Sequence, residues 1–285
     1  VLLLCEKNGT DNHLIEHLEL NDASELNILD VNILKSPQKK IDFKSNKWTF
    51  YFLEQEEIDF LETIKQQNSI PTIGDFANVE VGITTGANDY FTVSLPVVEG
   101  YKLHDFAKPM VGRSVQVDSI IFSEDDWLRN RMAKTKAHLL IFPPKRELNG
   151  HIGANTYILM GESLGINKGY KTSIRDDWFV VPSIKVSEAL FIRRNNFFPK
   201  LILNEAKAYT TDTMHRVFVK QKINIEAFVA SFYNSLSFAF SEISGRSYGG
   251  GVLELMPSET QKILLPYRDE NESLLPRIDQ MMRGK

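Results

Sequence analysis

The sequence predicts an α+β fold in which short strands of mixed direction are accompanied by a few helices. Two observations support this. Between about residues 71 and 220, short β-rich segments recur between prolines and glycines, and residues 224–244 then form a long amphipathic stripe. The 285 residues, 42% of them hydrophobic, are enough for one large domain or two ordinary ones, each with its own core.

The first 70 residues combine strand-like and helical patterns. The apolar or aromatic segments 1–7, 25–34 and 46–53 are predicted as strands. Residues 54–67 repeat apolar side chains at helical spacing after an acidic first turn, which predicts a helix. Because the chain starts with Val1 inside an apolar run, we expect it to be a fragment whose upstream portion is absent.

The middle of the chain contains seven short segments rich in β-branched and aromatic residues. We predict strands at 78–83, 90–95, 118–122, 138–142, 177–183, 200–204 and 215–219. Residues 224–244 then predict one continuous helix capped by Asn224. The tail, residues 270–285, predicts another helix, interrupted at Pro276.

Charge is distributed unevenly along the chain. The formal net charge is −4, yet residues 1–80 hold 7 Lys and Arg against 15 Asp and Glu, whereas residues 141–220 hold 12 against 7. An acidic head followed by a basic middle indicates that one portion faces polyanions and another does not. Ordinary uneven scatter of charge remains the alternative.

Composition excludes several classes of protein. Cys5 is the single cysteine, which excludes an internal disulfide and a multi-cysteine zinc site and fits a reducing cytoplasm. No apolar run approaches the roughly 20 residues of a membrane span, and no secretory signal pattern is present. We therefore expect a cytoplasmic protein with no membrane partner.

The segment His13–His17 matches the H-x-x-E-H pattern of helix-borne inverted zinc peptidases. A zinc site also needs a third ligand and a packed surrounding shell, and this acidic, solvated stretch offers neither. We expect an exposed amphipathic turn here and assign no metal ligand.

The stretch "VGITTGANDYF", residues 81–91, raises the question of phosphate binding. Its two glycines allow close backbone approach, but it lacks both the P-loop ending and a G-x-G-x-x-G pattern. A plain tight turn is one interpretation. The other is that Thr84, Thr85 and Asn88 present short polar side chains to a phosphate oxygen or a base edge.

The basic middle interleaves cationic and aromatic residues in a way that favours nucleic-acid contact. Its candidate DNA-binding residues are Lys168, Tyr170, Lys171, Arg175, Arg193, Arg194, His215 and Arg216. If 167–179 were strand, Lys171 and Arg175 would line one groove with Trp178 packed behind. The alternative is ordinary surface charge over buried aromatics.

The triple glycine at 249–251 adds two further candidates. We predict a tight turn that holds Arg246 and Tyr248 at the surface. No pattern typical of nucleophilic catalysis is present, since there is no G-x-S-x-G and Cys5 lies in a predicted strand. No catalytic residue is assigned.

Four ordered segments carry a family resemblance that covers about residues 45–267. They are "VGITTGANDYF", "GYKTSIRDDWFVVPS", "FIRRNNFFPKLILN" and "GRSYGGGVLELMPSE". Together they resemble the C-terminal part of adenine-N6 DNA methyltransferases of restriction–modification systems with a TaqI-like specificity domain. The last segment is also similar to the end of target-recognition domains in type I specificity subunits.

The resemblance implies a domain plan and partners. Residues 1–45 would be the remnant of an α/β catalytic methyltransferase domain, 46–70 a linking segment, and 71–285 the target-recognition domain with a C-terminal helix. The implied partners are double-stranded DNA and the absent catalytic domain of the same protein. The full-length enzyme would flip an adenine and methylate N6 with S-adenosylmethionine.

The sequence departs from that family where the chemistry would occur. The expected Asn/Asp-Pro-Pro-Tyr/Phe tetrad and glycine-rich S-adenosylmethionine turn are missing, because the only Pro-Pro, Pro143–Pro144, follows Phe142. We therefore expect no cofactor in this chain and no methylation by it alone.

Two other functions remain open. One is a complete enzyme with a phosphate-binding loop at 82–88. The other is an interaction module that docks a methyltransferase or restriction subunit through the helix at 225–243 and the C-terminal tail. Surplus apolar residues such as Phe238 and Ala239 would favour docking.

Overall fold

The structure, a computed structural model, shows two compact units, Val1–Ile70 and Pro71–Lys285. The residues that it describes are 4, 13–30, 38–42, 47–67, 69–148, 150–248 and 250–284. The division of the first unit into a catalytic remnant and a linking segment stays a prediction.

The first unit contains strands β1 (Leu14–Glu16) and β2 (Gln38–Lys40), which pair antiparallel, and helix α1 (Gln55–Gln66). Lys39 in β2 is buried, yet its ammonium donates to the carbonyls of Tyr51 at 3.3 Å and Leu53 at 2.6 Å. These hydrogen bonds compensate the loss of hydration of a charged group.

Several local predictions for this unit were wrong. A 3-10 helix, Ala23–Asn27, replaces the start of the strand predicted at 25–34, and a second, Trp48–Phe52, replaces the one at 46–53. The adjacent Phe50 and Tyr51 are both buried, whereas a strand would send neighbours to opposite faces. Apart from Leu4, the strand predicted at 1–7 lies outside the described residues, as do 31–34.

Two further outcomes concern helices. The helix predicted at 54–67 is confirmed as α1, and the backbone N–H of Glu54 donates to the Glu57 carboxylate at 2.9 Å at its start. The His13–His17 segment forms strand β1 rather than a helix or an amphipathic turn.

The second unit mixes helices and strands, which confirms the α+β prediction. Its helices are α2 (Ile73–Phe76), α3 (Asn88–Phe91), α4 (Leu95–Gly100), α5 (Glu124–Met132), α6 (Ile152–Ser163), α7 (Tyr170–Ser173), α8 (Ile225–Phe232), α9 (Ser235–Ser244), α10 (Pro257–Thr260) and α11 (Leu275–Met282). Short 3-10 helices lie at Ser114–Gln116, Lys145–Glu147, Ile166–Lys168 and Asp269–Leu274.

In the described residues of this unit, the strands form three sheets. They are β3 (Ala77–Val81), β4 (Thr92–Val93), β5 (Ala107–Val111), β6 (His138–Leu140), β7 (Ala189–Ile192), β8 (Arg194–Asn195), β9 (Leu201–Leu203), β10 (Tyr209–Thr210), β11 (Met214–Val219), β12 (Arg246–Tyr248) and β13 (Val252–Glu254). The strand orders are β3-β11-β7-β9, β10-β5-β6-β4 and β12-β13-β8. All pairs are antiparallel except β10 with β5.

An aromatic core lies around the sheet that contains β4, β5 and β6. Tyr90 packs on Tyr157 and Trp178 with ring centroids 4.7 and 5.2 Å apart, and the hydroxyl of each of these two tyrosines donates to the backbone carbonyl of the other. A second cluster, which includes Phe122 and Leu190, lies between β5 and the β7–β9 pair. These cores hold the loops that carry the candidate site.

The strand predictions for the middle of the chain met mixed outcomes. Strands lie within 78–83, 138–142, 200–204 and 215–219, as predicted. The other three predictions were wrong or only partly right: 90–95 begins in a helical turn, 118–122 contributes one isolated bridge, and 177–183 forms no strand. Helices α4, α5 and α6 lie in a region where mainly short strands were expected.

The predicted helix 224–244 is two helices. Residues Tyr233 and Asn234 separate α8 from α9, and Asn234 caps α9 by accepting from the Ser237 N–H at 2.9 Å. Pro276 lies in the first turn of α11, where proline's missing N–H has no cost, rather than interrupting a helix.

Candidate functional site

An open groove of about 470 Å³ lies on the second unit between three loop segments. Residues 112–115, 192–194 and 212–213 line it and bring Arg113, Arg193 and Arg194 to one place. We call this feature the arginine groove. Its guanidinium groups suit planar, bidentate contact with phosphate or carboxylate oxygens.

A buried carboxylate holds two of these arginines. Arg193 Nε donates to Glu254 Oε1 at 2.9 Å and Arg194 Nε donates to the same oxygen at 3.0 Å, while the Glu254 side chain is only 4% exposed. Burial by itself raises the pKa of Glu254, but hydrogen bonds from Tyr248 and Arg194 and the two arginine charges lower it overall. Glu254 is therefore a charged anchor for the groove.

Sheet register explains why the anchor meets its arginines. Glu254 in β13 lies directly opposite Arg194 in β8 on one side and Arg246 in β12 on the other. Side chains that face one another across neighbouring strands project from the same face of the sheet. Arg246 Nε also donates to Glu259 at 3.0 Å. The three-stranded sheet thus presents Arg194, Glu254 and Arg246 as a row, which we call the arginine row.

Hydrogen bonds tie the 81–91 loop to the arginine groove. Asn88 Nδ2 donates to Asp212 Oδ1 at 2.9 Å, and Thr213 Oγ1 donates to the Gly112 carbonyl at 2.7 Å. The hydrogen bond and charge of Lys136 lower the pKa of Asp89, and the charge of Arg113 lowers it further. The loop therefore borders the groove.

The side chains inside that loop already have partners. Thr85 is fully buried and its hydroxyl donates to Asn88 Oδ1 at 2.5 Å, while the Ala87 N–H donates to the Thr85 hydroxyl at 3.1 Å. Asn88 faces the carboxylate of Asp212, which disfavours an anion. Helix α3 after the loop has only four residues. These contacts weigh against a nucleotide cradle, although Thr84 stays exposed.

Backbone geometry explains why glycine occupies positions 82 and 86 of the loop. A Cβ on Gly82 would lie 1.9 Å from the Thr211 carbonyl oxygen, because the Gly82 N–H donates to the Met214 carbonyl at 3.0 Å as the chains pass. Gly86 has φ +81°, a conformation that favours glycine. A backbone crossing accounts for Gly82 and a left-handed backbone conformation for Gly86, without a phosphate contact.

The strand interpretation of 167–179 was wrong, and Lys171 and Arg175 do not line a strand face together. Lys171 is exposed on the short helix α7. The guanidinium of Arg175 instead donates to the carbonyl of Thr85 at 2.7 Å and, more weakly, to those of Thr84 and Trp178. Trp178 is buried, as predicted. Arg175 therefore acts as a brace for the 81–91 loop.

Two other candidates lie inside the protein. His215 is 0% exposed, its Nε2 lies 2.7 Å from the Leu255 carbonyl, and burial lowers its pKa, so the ring is neutral near pH 7. Arg216 is 6% exposed and donates to the carbonyls of Val81 and Ser183 and to Glu80. Both lie on β11, whose side chains are covered on both faces.

The remaining sequence candidates are at the surface but form separate groups. Arg246 and Tyr248 are exposed on β12, next to the arginine groove's anchor. Lys168 and Tyr170 are exposed beside Lys171, on a different part of the chain. Tyr170 is 81% exposed. The structure thus brings Arg193, Arg194, Arg246 and Tyr248 together, while Lys171 lies against the 81–91 loop, since a Cβ on Gly86 would come within 2.7 Å of its Cβ.

Sequence reasoning missed Arg113, which lines this groove, and Lys136, which pairs with Asp89 of the bordering loop at 2.6 Å. Both lie in 81–140, where acidic and basic residues balance, so a charge count gave no signal. The tripeptide Gly112-Arg113-Ser114 after an apolar run was the available local cue. Only the folded chain shows that this turn reaches Arg193 and Arg194.

Within the part of the chain that the structure describes, no cluster of three or more His, Cys, Asp or Glu side chains could hold a metal ion. In the same residues, no helix is both long and apolar enough to cross a membrane.

The fold and the groove define a class of protein: an α+β domain that presents arginines from several loops on one open surface. The family follows from the sequence. Residues 45–285 match the model of the "Type II methyltransferase M.Eco57I, C-terminal domain", and the chain belongs to that family. The resemblance to methyltransferases of restriction–modification systems is thereby confirmed.

Known relatives agree with this family. The chain is 23% identical over 276 residues to "Type II methyltransferase M.AccI" of Acinetobacter calcoaceticus, which covers 92% of the chain but 49% of that relative. It thus spans about half the length of the curated relative. It also resembles the crystal structure of the type IIG restriction endonuclease BpuSI, with a TM-score of 0.51 and 13% identity over 80% of the chain and 28% of that structure. That likeness concerns the fold.

Proposed function

We propose that the unit Pro71–Lys285 is the target-recognition domain of an adenine-N6 DNA methyltransferase and binds double-stranded DNA through the arginine groove and arginine row. The observation that carries the proposal is the convergence of Arg113, Arg193 and Arg194 on one open groove. Membership of a type II methyltransferase C-terminal family supports DNA as the polyanion. Phosphate contacts by such side chains supply most of the affinity for a duplex.

Arg194 is the best-placed residue for reading a base. Its side chain is 67% exposed, and its hydrogen bond to Glu254 uses Nε rather than the terminal Nη groups. A guanidinium with free Nη groups matches the O6 and N7 acceptors of guanine in the major groove. Arg193, at 25% exposure and with a second contact to the Asp212 carbonyl, is more constrained and suits a phosphate.

The proposed surface differs from the set chosen from sequence. Thr85, Asn88, Arg175, His215 and Arg216 are left out because each is buried or already committed to internal hydrogen bonds. The retained and added residues are Thr84, Arg113, Lys136, Lys168, Tyr170, Lys171, Arg193, Arg194, Arg246 and Tyr248.

In this proposal the chemistry belongs to the rest of the parent enzyme. S-adenosylmethionine and the flipped adenine would bind to a catalytic domain that supplies the missing tetrad, and Val1–Ile70 would include its remnant. The present chain would bind DNA without methylating it. Methylation of adenine N6 by the purified chain in the presence of S-adenosylmethionine would contradict this division.

The direct test is fluorescence anisotropy of a labelled mixed-sequence duplex with the chain across a salt series. We expect binding whose logarithm falls linearly with the logarithm of salt concentration, since phosphate contacts release counterions. No binding at low salt would refute the proposal. Tight binding of a free nucleotide instead would favour the complete-enzyme alternative with a loop at 82–88.

Single substitutions test the groove. R113A is expected to weaken binding to all sequences and to reduce the salt slope by about 1, because one phosphate contact is lost. R194A should also lower discrimination between a selected site and a mutated one if it reads a base. R277A, which removes an exposed arginine from α11, is the matched control and should change neither quantity. Equal effects of R113A and R277A on affinity and salt slope would show that the groove is not part of the DNA interface.

A docking role has a separate observation in its favour. Ile152 and Leu159, one face of α6, are 81% and 63% exposed, and Leu164 and Ile174 nearby in sequence are 67% and 70% exposed. Phe238, expected to be a surplus apolar residue, instead packs on Phe198 and Phe232. We propose that the α6 face contacts the catalytic portion of the same protein, since this chain matches only 49% of the relative M.AccI.

Co-elution of the chain with a separately expressed upstream portion tests this contact. We expect the double variant I152S/L159S to abolish co-elution while DNA binding persists. Unchanged co-elution would show that the α6 face does not form this contact.

A further inference from the structure

Among the described residues, Phe197 has the most exposed large apolar side chain, at 91%. It lies in the connection 193–200 of the hairpin formed by β7 and β9, the same connection that supplies Arg193 and Arg194 to the arginine groove. A fully exposed phenyl ring gains nothing from the fold of the isolated chain. Its position beside two arginines raises the question of what covers it.

The base of the Phe197 loop is rigid. Asn195 is buried, its Nδ2 donates to the Ile192 carbonyl at 2.9 Å, and its Oδ1 accepts from the Lys200 N–H at 3.3 Å. The neighbouring Phe198 turns inward and stacks on Phe238, with centroids 6.3 Å apart and ring planes at 24°. Phe197 is therefore presented outward by an anchored loop, so little conformational entropy is lost when a partner meets it.

The positive charge beside Phe197 favours a nucleic-acid partner. Arg193 and Arg194 line the groove on one side, while residues 195–198 line a separate open cavity of about 240 Å³ on the other. The lining of this second cavity is mixed, with the apolar side chains of Phe198, Val252 and Leu253 beside polar ones such as Asn196, Glu242 and Ser247. The choice of partner therefore rests on the two arginines, since an exposed ring beside a cationic groove suits a stacked base flanked by phosphates.

We infer that Phe197 is an aromatic wedge that inserts at an unstacked base step when the arginine groove holds the neighbouring phosphates. Proteins that distort duplex DNA use apolar side chains in this way, and enzymes that extrude a base must break its stacking. The ring replaces part of the stacking that the base step loses. This inference rests on the proposed function.

The test compares two labelled duplexes that differ only in one central abasic site, where stacking is already broken. We expect the full chain to bind the abasic duplex about 5- to 150-fold more tightly than the intact one, the range typical of one base–aromatic stack. F197A should lose this preference and keep the affinity and salt slope of the wild type for the intact duplex. F197W should retain the preference.

F60A is the matched control, because Phe60 on α1 is 66% exposed and the same atoms are removed. It should behave as the wild type, and all variants should keep the wild-type melting temperature. Salt-dependent binding of both duplexes without an abasic preference, or a preference that survives in F197A, would overturn the wedge and leave the proposed function intact. Absence of binding to either duplex would overturn both.

Discussion

At the scale of single residues, pairing decides which charges are available to a ligand. Arg175 and Arg194 are both arginines of the basic middle. The guanidinium of Arg175 donates its hydrogen bonds to loop carbonyls, whereas Arg194 donates to Glu254 through Nε. Glu254 holds Arg194 at the groove by accepting this hydrogen bond. A carboxylate removed from water remains charged there because two guanidinium groups and Tyr248 meet it.

The Glu254 anchor leads to a pH-dependent prediction. Its pKa is lowered in the folded state, so its contribution to stability is present above the unfolded value of about 4.3 and is lost as pH falls through the lower folded value. We expect E254Q to reduce the free energy of unfolding by about 1–3 kcal/mol at pH 7, because the acceptor of two arginine hydrogen bonds loses its charge.

Urea unfolding at pH 7 and at progressively lower pH measures this effect. The difference between E254Q and the wild type should shrink towards zero under acid. E242Q, an exposed change on α9, should be neutral at every pH. A difference for E254Q that does not depend on pH would show that charge is not the cause.

At the scale of elements, helices and strands were predicted correctly where buried apolar residues repeat at a single regular spacing. Helix α1 and strands β3, β9 and β11 match their predictions because their apolar spacing reports the buried face. The apolar stripe of 224–244 continues through the break between α8 and α9, so periodicity alone could not reveal two helices. The break depends on Asn234, whose amide donates to the Ser231 carbonyl at 2.7 Å and whose oxygen caps α9.

Replacement of this cap is expected to destabilise the chain. N234A should lower the free energy of unfolding by about 1–2 kcal/mol, because the Ser237 N–H loses its acceptor. N234D keeps the acceptor and should recover most of the loss. Urea titrations of the three proteins provide the comparison, and equal stabilities of N234A and wild type would exclude a capping role.

The crossing at Gly82 gives a second prediction at this scale. A methyl group there would meet the carbonyls of Thr211 and Met214 at 1.9 and 2.6 Å, so β3 and the 211–214 turn would have to separate. We expect G82A to cost about 3 kcal/mol or more, the upper part of the range for overpacking.

G100A is the control for Gly82, since a Cβ on Gly100 meets nothing within 4 Å. It should be neutral or slightly stabilising, as for a glycine replaced without strain. Thermal unfolding monitored by circular dichroism separates the two variants. A G82A protein as stable as G100A would show that the backbones do not pass so closely.

At the scale of the whole molecule, hydrogen bonds between residues far apart in sequence attach the C-terminal helix to the rest of the second unit. The Asp279 carboxylate in α11 accepts from the buried N–H groups of Ile120 at 3.2 Å and Ile121 at 2.9 Å, and its carbonyl accepts from Ser119. Arg283 donates to Asp279 and, at 2.8 Å, to the buried Asp126. The C-terminal helix is thereby part of the fold of Pro71–Lys285.

Loss of the Asp279 hydrogen bonds should destabilise the second unit strongly. D279A is expected to lower the free energy of unfolding by about 2–4 kcal/mol, because two buried N–H groups lose their acceptor. D176A, at an exposed carboxylate, should stay within about 0.5 kcal/mol of the wild type. Urea unfolding measures both, and a similar small effect of D279A would mean that the helix adds little to the unit.

The sequence by itself determined the α+β class, the family resemblance, helix α1 and the stretch that supplies Arg193 and Arg194. Each of these depends on local spacing or on ordered motifs, which survive without coordinates. Only the tertiary structure decided which candidates are free. Arg193 meets Glu254 from 61 positions away and Asn88 meets Asp212 from 124. His215 and Arg216 are buried, with His215 against the Leu255 carbonyl and Arg216 hydrogen-bonded to the Ser183 carbonyl. Burial and pairing over such separations arise from the packing of the whole chain, so no local pattern encodes them.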